Sequence, residues 1–172
     1  MQMKKLIFCC FFAAMFIQSK AQQLYSSFKD EKNNKGIVYK GIINKSTLQS
    51  ESAFDWFVSN KEKYKPSPEL LHAFLAASKS VKYIVFGGTW CEDTQNLLPQ
   101  FYKLQELTGM NEQDIVLFAV DRDKKTIDNI TQAFHITNVP TIIVMKDGKE
   151  VGRVVEYGSS GNWDEAMTNV LK

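Results

Sequence analysis

The sequence is short of the residues that build metal cages and disulfide frameworks. Its 172 residues include three cysteines and two histidines. Two of the thiols, Cys9 and Cys10, stand together in an apolar run near the beginning. With that run set aside, Cys91 is left alone and no internal disulfide can form. A lone soft ligand is a poor metal cage, so Cys91 with His135 is not expected to hold a metal, and no other cofactor is implied. His72, among helical apolar residues, and His135, at the end of a short helical stretch, read as structural. Arginine is equally scarce, with only Arg122 and Arg153. The 21 basic and 19 acidic residues nearly cancel, which gives no electrostatic footprint for nucleic acid. Internal repeats and low-complexity tracts are absent.

Long hydrophobic runs are missing too. Lys4 and Lys5 precede an uncharged stretch, Leu6 to Ile17, of twelve residues. As helix it would span ~18 Å, too short for a ~30 Å hydrocarbon core. Ser19-Lys20-Ala21 supplies small residues at the two positions a signal peptidase reads, so residues 1–21 are expected to be a signal peptide cut before Gln22. A retained membrane anchor is disfavoured by the short run and by the polarity of Gln18 and Lys20. A lipid-modified cysteine is disfavoured by the bulk of Ile7 and Phe8. The mature chain would carry 18 basic and 19 acidic residues. It would be exported, periplasmic or extracellular, with no stable membrane anchor. Its roughly 150 residues suffice for one domain.

What is present is an alternation of apolar patterns. Gln22 to Lys35 is polar, aperiodic and expected to be partly mobile, and Gly36 to Asn44 carries a weak strand signal. Residues 22–48 therefore read as an N-terminal extension and residues 49–172 as the domain. From Glu51 the pattern is helical and stops before Pro66, with Phe54, Trp56 and Phe57 expected to pack over one end of a sheet. Ser67, Pro68 and Glu69 supply an N-cap, a first helical residue and an acid for the next helix, which runs to about Lys79. Val81 to Phe86 and Ile115 to Val120 are nearly continuous apolar runs, as in strands covered on both faces. Between them Leu97, Leu98, Phe101, Leu104 and Leu107 keep helical spacing up to Gly109. Thr126 to Phe134 is a short amphipathic helix, and Val139-Pro140-Thr141 opens a third apolar strand. Asp147-Gly148 is a hairpin turn, and Asn162 caps a last helix. Strands separated by helices are expected to be parallel, with an antiparallel hairpin at the edge. The fold class is α/β, a mixed central sheet with helices on both faces.

Two blocks in this pattern carry a resemblance. Val85-Phe86-Gly87-Gly88-Thr89-Trp90-Cys91-Glu92-Asp93-Thr94, on a strand-to-helix turn, resembles the active-site segment of the thioredoxin-like superfamily, where Trp-Cys-x-x-Cys is usual. Val139-Pro140-Thr141, its strand, the Lys-Asp-Gly-Lys turn and Gly152-Arg153-Val154 resemble that family's cis-proline segment. Cys91 and Pro140 are 49 residues apart, and the two blocks span Val81 to Lys172. The resemblance implies that Cys91 is the nucleophile, Trp90 a packing and recognition surface, and Val139-Pro140 a docking platform for a substrate backbone. A cysteine at a helix N-terminus also faces unpaired N–H groups, which stabilise a thiolate.

The departures from the pattern are as informative. Thr94 stands where a second cysteine would be, so a mixed disulfide on Cys91 cannot be released from within. Thr94 is expected instead to hydrogen-bond the thiolate. Glu92 and Asp93 oppose a thiolate, although the positive end of the helix explains them more simply. Val85 occupies the place of a buried acid frequent in the family. The expected function is that of a monothiol redox protein acting on disulfides or mixed disulfides of exported proteins or small thiols. Its partners would be those substrates and an external resolving thiol or reductant. The alternative is a non-catalytic peptide-binding or chaperone-like module on the same fold. Peroxide scavenging through a sulfenic acid is set aside because no arginine stands near the motif in the sequence; Arg122 follows the neighbouring strand.

Overall fold

The structure is a computed structural model and describes residues 24–172. The expected signal peptide, with Cys9 and Cys10, lies outside the described residues. The chain forms a six-stranded sheet in the order β1 (Tyr25–Asp30), β2 (Asn33–Ile43), β4 (Ile115–Ala119), β3 (Lys82–Gly87), β5 (Thr141–Lys146), β6 (Lys149–Val155). At its centre are the two apolar runs, β3 (Lys82–Gly87) and β4 (Ile115–Ala119). They run parallel, with Val85 opposite Leu117 and Gly87 opposite Ala119. Helix α4 (Glu92–Thr108) makes the crossover, and Gly109 ends it at φ 66°, a left-handed conformation that glycine adopts without a Cβ clash. β5 (Thr141–Lys146) and β6 (Lys149–Val155) form the expected hairpin around Asp147-Gly148.

The parallel expectation fails at β5, which lies antiparallel to β3. The preceding helix α5 (Ile130–Ala133) has four residues, about 6 Å of rise, too little to carry the chain back along a strand. β5 therefore enters the sheet from the end at which β4 leaves it.

From Leu24 on, the stretch expected to be aperiodic joins the weakly signalled strand at Gly36 to Asn44 in a ribbon. β1 (Tyr25–Asp30) pairs antiparallel with β2 (Asn33–Ile43), and β2 pairs with β4. The reversal is held by Asp30, whose Oδ1 accepts the Lys32 N–H at 3.1 Å. Such an Asx turn needs no glycine or proline, so Asp30, Asn33 and Asn34 are all that marks it in the sequence. Further along, Gly41 has φ 126°, and a Cβ there would run into the Leu24 carbonyl.

One face of the sheet carries most of the core. α1 (Lys45–Ser50), a 3₁₀ turn (Ser52–Phe54), α2 (Asp55–Lys63), α3 (Pro68–Ala77) and α6 (Trp163–Leu171) join α4 there. Leu48, Phe57, Leu70, Phe74, Phe101 and Met167 are fully buried in it. Ser67 caps α3 and Asn162 caps α6, each accepting backbone N–H groups of the first turn, as their positions predict. His72 does not share the apolar stripe. It is exposed, across α3 from Leu70 and Phe74. Leu75 and Leu107 are exposed as well, because each stripe is narrower than the run of apolar residues. The opposite face is covered by α5 and the chain to Ile136, over Phe86, Phe118, Val120, Val139 and Ile143.

Pro99 lies inside α4 and cannot donate to the Gln95 carbonyl one turn earlier. The Asn60 Nδ2 group on α2 donates to that carbonyl instead, at 3.0 Å. The turn that follows Cys91 is thereby fastened to α2.

Candidate active site

The end of β3 delivers Gly87, Gly88, Thr89 and Trp90 to the start of α4, with Cys91 as its N-cap residue. A Cβ on Gly88 would sit 2.7 Å from the Trp90 ring, and one on Gly87 would sit 2.9 Å from the Thr94 methyl. The two glycines thus let Trp90 and Thr94 fold back onto the strand end. The Cys91 N–H donates to the Gly88 carbonyl at 2.9 Å, and Gln95 Nε2 donates to the Thr89 carbonyl at 2.8 Å. Thr89 Oγ1 donates to the Ile37 carbonyl at 2.7 Å and accepts the Tyr39 N–H at 3.2 Å. These bonds tie the turn to β2.

Cys91 is half-buried and is the one free thiol among the described residues. Its Sγ donates to the Val139 carbonyl at 3.2 Å. The Val139-Pro140 bond is cis, as the resemblance implies, and both side chains are buried. The Pro140 carbonyl accepts the Glu156 N–H at 2.8 Å, which docks the segment on the end of β6. Trp90, Cys91 and Val139 share one apolar cluster. Four of the five residues singled out in the sequence therefore meet around one sulfur.

Thr94 is placed differently from expectation. It is 1% exposed, and its Oγ1 accepts the Gly88 N–H at 3.2 Å. Gly88 follows the end of β3, where ladder partners run out, so its N–H takes the nearest acceptor on the inner side of α4. The sulfur turns the other way, to Val139, and no Cys91–Thr94 hydrogen bond is made among the described residues. Thr94 holds the turn rather than the thiol. Val85 is fully buried in the larger core cluster, so the place of the family's buried acid is apolar.

The residue the sequence did not flag is Arg122. Its guanidinium lies over the Trp90 ring, 4.9 Å from the centroid, while Trp90 Nε1 donates to the Val120 carbonyl at 2.9 Å. Arg122 Nε and Nη2 also donate to the two Asp30 oxygens, each at 2.7 Å, and the Asp30 side chain is 2% exposed. The Arg122 hydrogen bonds hold the Asp30 carboxyl below its ordinary value. The same bonds raise Arg122. An arginine therefore does stand beside the motif. The cause is the parallel register: Gly87 lies opposite Ala119, and Trp90 and Arg122 each follow three residues later. That register was the available signal. Nothing comparable announces Asp30, which arrives from the β1–β2 turn.

His135 follows α5 at φ 53°. No group of three or more His, Cys, Asp or Glu among the described residues could hold a metal ion. No helix among them is long and apolar enough to cross a membrane.

Comparison with known proteins gives consistent matches. A family model described as Thioredoxin matches residues 65–169. The chain is 33% identical over 91 residues to the thioredoxin of Echinococcus granulosus, covering 52% of this chain and 79% of that protein. It is 33% identical over 93 residues to the thioredoxin of Staphylococcus haemolyticus, covering 53% of this chain and 83% of that protein. Among solved structures, thioredoxin O2 from Arabidopsis thaliana in its oxidized state superposes with a TM-score of 0.34 at 21% identity, over 54% of this chain and 78% of that one.

Proposed function

This chain belongs to the thioredoxin family, and from that premise we propose that it is a monothiol redox protein that works outside the cytoplasm through Cys91. The Cys91 thiolate attacks a substrate disulfide: the S–S bond breaks, one sulfur leaves as a thiolate, and the other becomes bonded to Cys91. An external thiol then attacks that mixed disulfide and returns Cys91 to its starting state. The observation that carries the reading is the placement of the sulfur, at the start of α4 and 3.2 Å from the carbonyl that precedes cis-Pro140. Thr94, in the position of a resolving cysteine, has no thiol to offer. The proposal of export rests on the basic pair Lys4-Lys5, the short run to Ile17 and the Ser19-Lys20-Ala21 segment.

The test is direct. The protein is isolated from the exported fraction of its host with free thiols blocked in acid, then resolved on non-reducing gels and by mass spectrometry. Covalent adducts on Cys91, absent from Cys91→Ser, are the expected result. Protein recovered with only free, blocked Cys91 overturns the reading.

A further inference from the structure

Cys91 has two flanks. On one its sulfur meets the Val139 carbonyl; on the other its chain neighbours Trp90 and Glu92, though not Cys91 itself, line a cavity of ≈ 490 Å³ together with Asp30, Lys32, Trp56 and Arg122. Its far walls come from the β1–β2 turn and from the 3₁₀ turn that leads into α2, segments outside the two motif blocks. We propose that the cavity seats a low-molecular-weight amphoteric thiol or its disulfide, a molecule bearing both a carboxylate and an ammonium group, as the small-molecule partner of Cys91. This inference rests on the redox reading above and names the class of thiol it uses.

Size and charge lead to that class. The volume falls in the range of small-ligand sites, about 300–1,000 Å³. Asp30 is turned inward and engaged with Arg122. Arg122 is 31% exposed, and Nε and Nη2 are the atoms it commits to Asp30. The outer edge of its guanidinium and the exposed Lys32 give one positive side to the cavity. Exposed Glu92 gives a negative side. The half-buried rings of Trp56 and Trp90 offer apolar faces for methylene groups between the charges. An anionic ligand alone would meet Glu92, and a cationic one alone would meet Arg122 and Lys32. An amphoteric one pairs with both. In the exchange, the Cys91 thiolate attacks one sulfur of the ligand's disulfide. The ligand's S–S bond breaks, a Cys91–sulfur bond forms, and the departing thiolate takes a proton from water.

The experiment uses the full chain and four disulfide probes: L-cystine (both charges), dithiodiglycolate (anionic), cystamine (cationic) and 2-hydroxyethyl disulfide (neutral). Rates of Cys91 modification are followed by mass spectrometry, each divided by the rate of the same probe with free N-acetylcysteine to remove intrinsic reactivity. The wild type should favour L-cystine over the neutral probe by about tenfold, as two exposed ion pairs allow. Lys32→Gln and Glu92→Gln should each reduce that ratio by about threefold. Equal normalised rates for all four probes, or a preference for a singly charged probe over L-cystine, overturn the inference and leave the redox reading standing. No reaction with any probe overturns both.

Discussion

Residues 82–172 and residues 24–63 meet around the turn that carries Cys91 but bring different things to it. The later region supplies the reactive parts: the turn after β3, Cys91 at the start of α4, and the cis-Pro140 segment that accepts its S–H. The earlier region supplies surroundings. Thr89 is held by Ile37 and Tyr39, the Gln95 carbonyl by Asn60, and Arg122 by Asp30. The difference teaches that a motif can specify where a thiol sits without specifying what may approach it. Approach is set by the ribbon and by α2, which have no recognisable motif.

Removing the earlier region's hold should therefore change stability and access before it changes the thiol's own seat. The largest effect is expected from Gly41→Ala. At φ 126°, with β1 backbone against it, alanine would have to force the two strands apart, at a cost of about 3 kcal/mol. Urea unfolding should show that loss, and hydrogen exchange should place it first in β1 and β2. Uniform loss of protection across the whole sheet would instead make the ribbon inseparable from the later region.

Asp30→Asn comes next, at about 1–2 kcal/mol, since Arg122 keeps part of its solvation when the charged bond is weakened. The sign with pH follows from the depressed Asp30 value. The carboxylate's contribution is complete above its unfolded value of about 3.8 and is lost as pH falls through the lower folded value. Wild type should thus converge on Asp30→Asn in stability as the pH drops below about 3.8. A constant gap down to strong acid would mean the pair contributes nothing through its charge. The smallest effect is expected from Asn60→Ala, about 1 kcal/mol for a carbonyl left to water or unpaired. A neutral result in thermal melts would show that Pro99 leaves a carbonyl that solvent satisfies.

Much of the later region was legible in the sequence. The buried strands, the Asp147-Gly148 hairpin, the Ser67 and Asn162 caps and the pairing of Cys91 with Val139-Pro140 all follow from local patterns and two spaced blocks. What escaped depends on partners far apart in the chain. The Asp30 turn closes through a side-chain acceptor rather than a glycine, so the stretch before Gly36 looked aperiodic. Arg122 reaches Trp90 only through the register of β3 against β4. Thr94 bonds Gly88 rather than the sulfur because a strand-end N–H needed an acceptor. The direction of β5 hinged on the length of α5, which the amphipathic stretch from Thr126 to Phe134 overstated.

The central claim is that Cys91 works as half of a redox couple, and release of a preformed adduct tests it most directly. Cys91 is loaded with a chromogenic thiol as a mixed disulfide, in wild type and in Thr94→Cys, and release is timed with and without added external thiol. Wild type should hold the adduct until the thiol is added and then release it with return of free Cys91, while Thr94→Cys should release it unaided. Release from wild type without any thiol, or an adduct that no external thiol can remove, would contradict the claim.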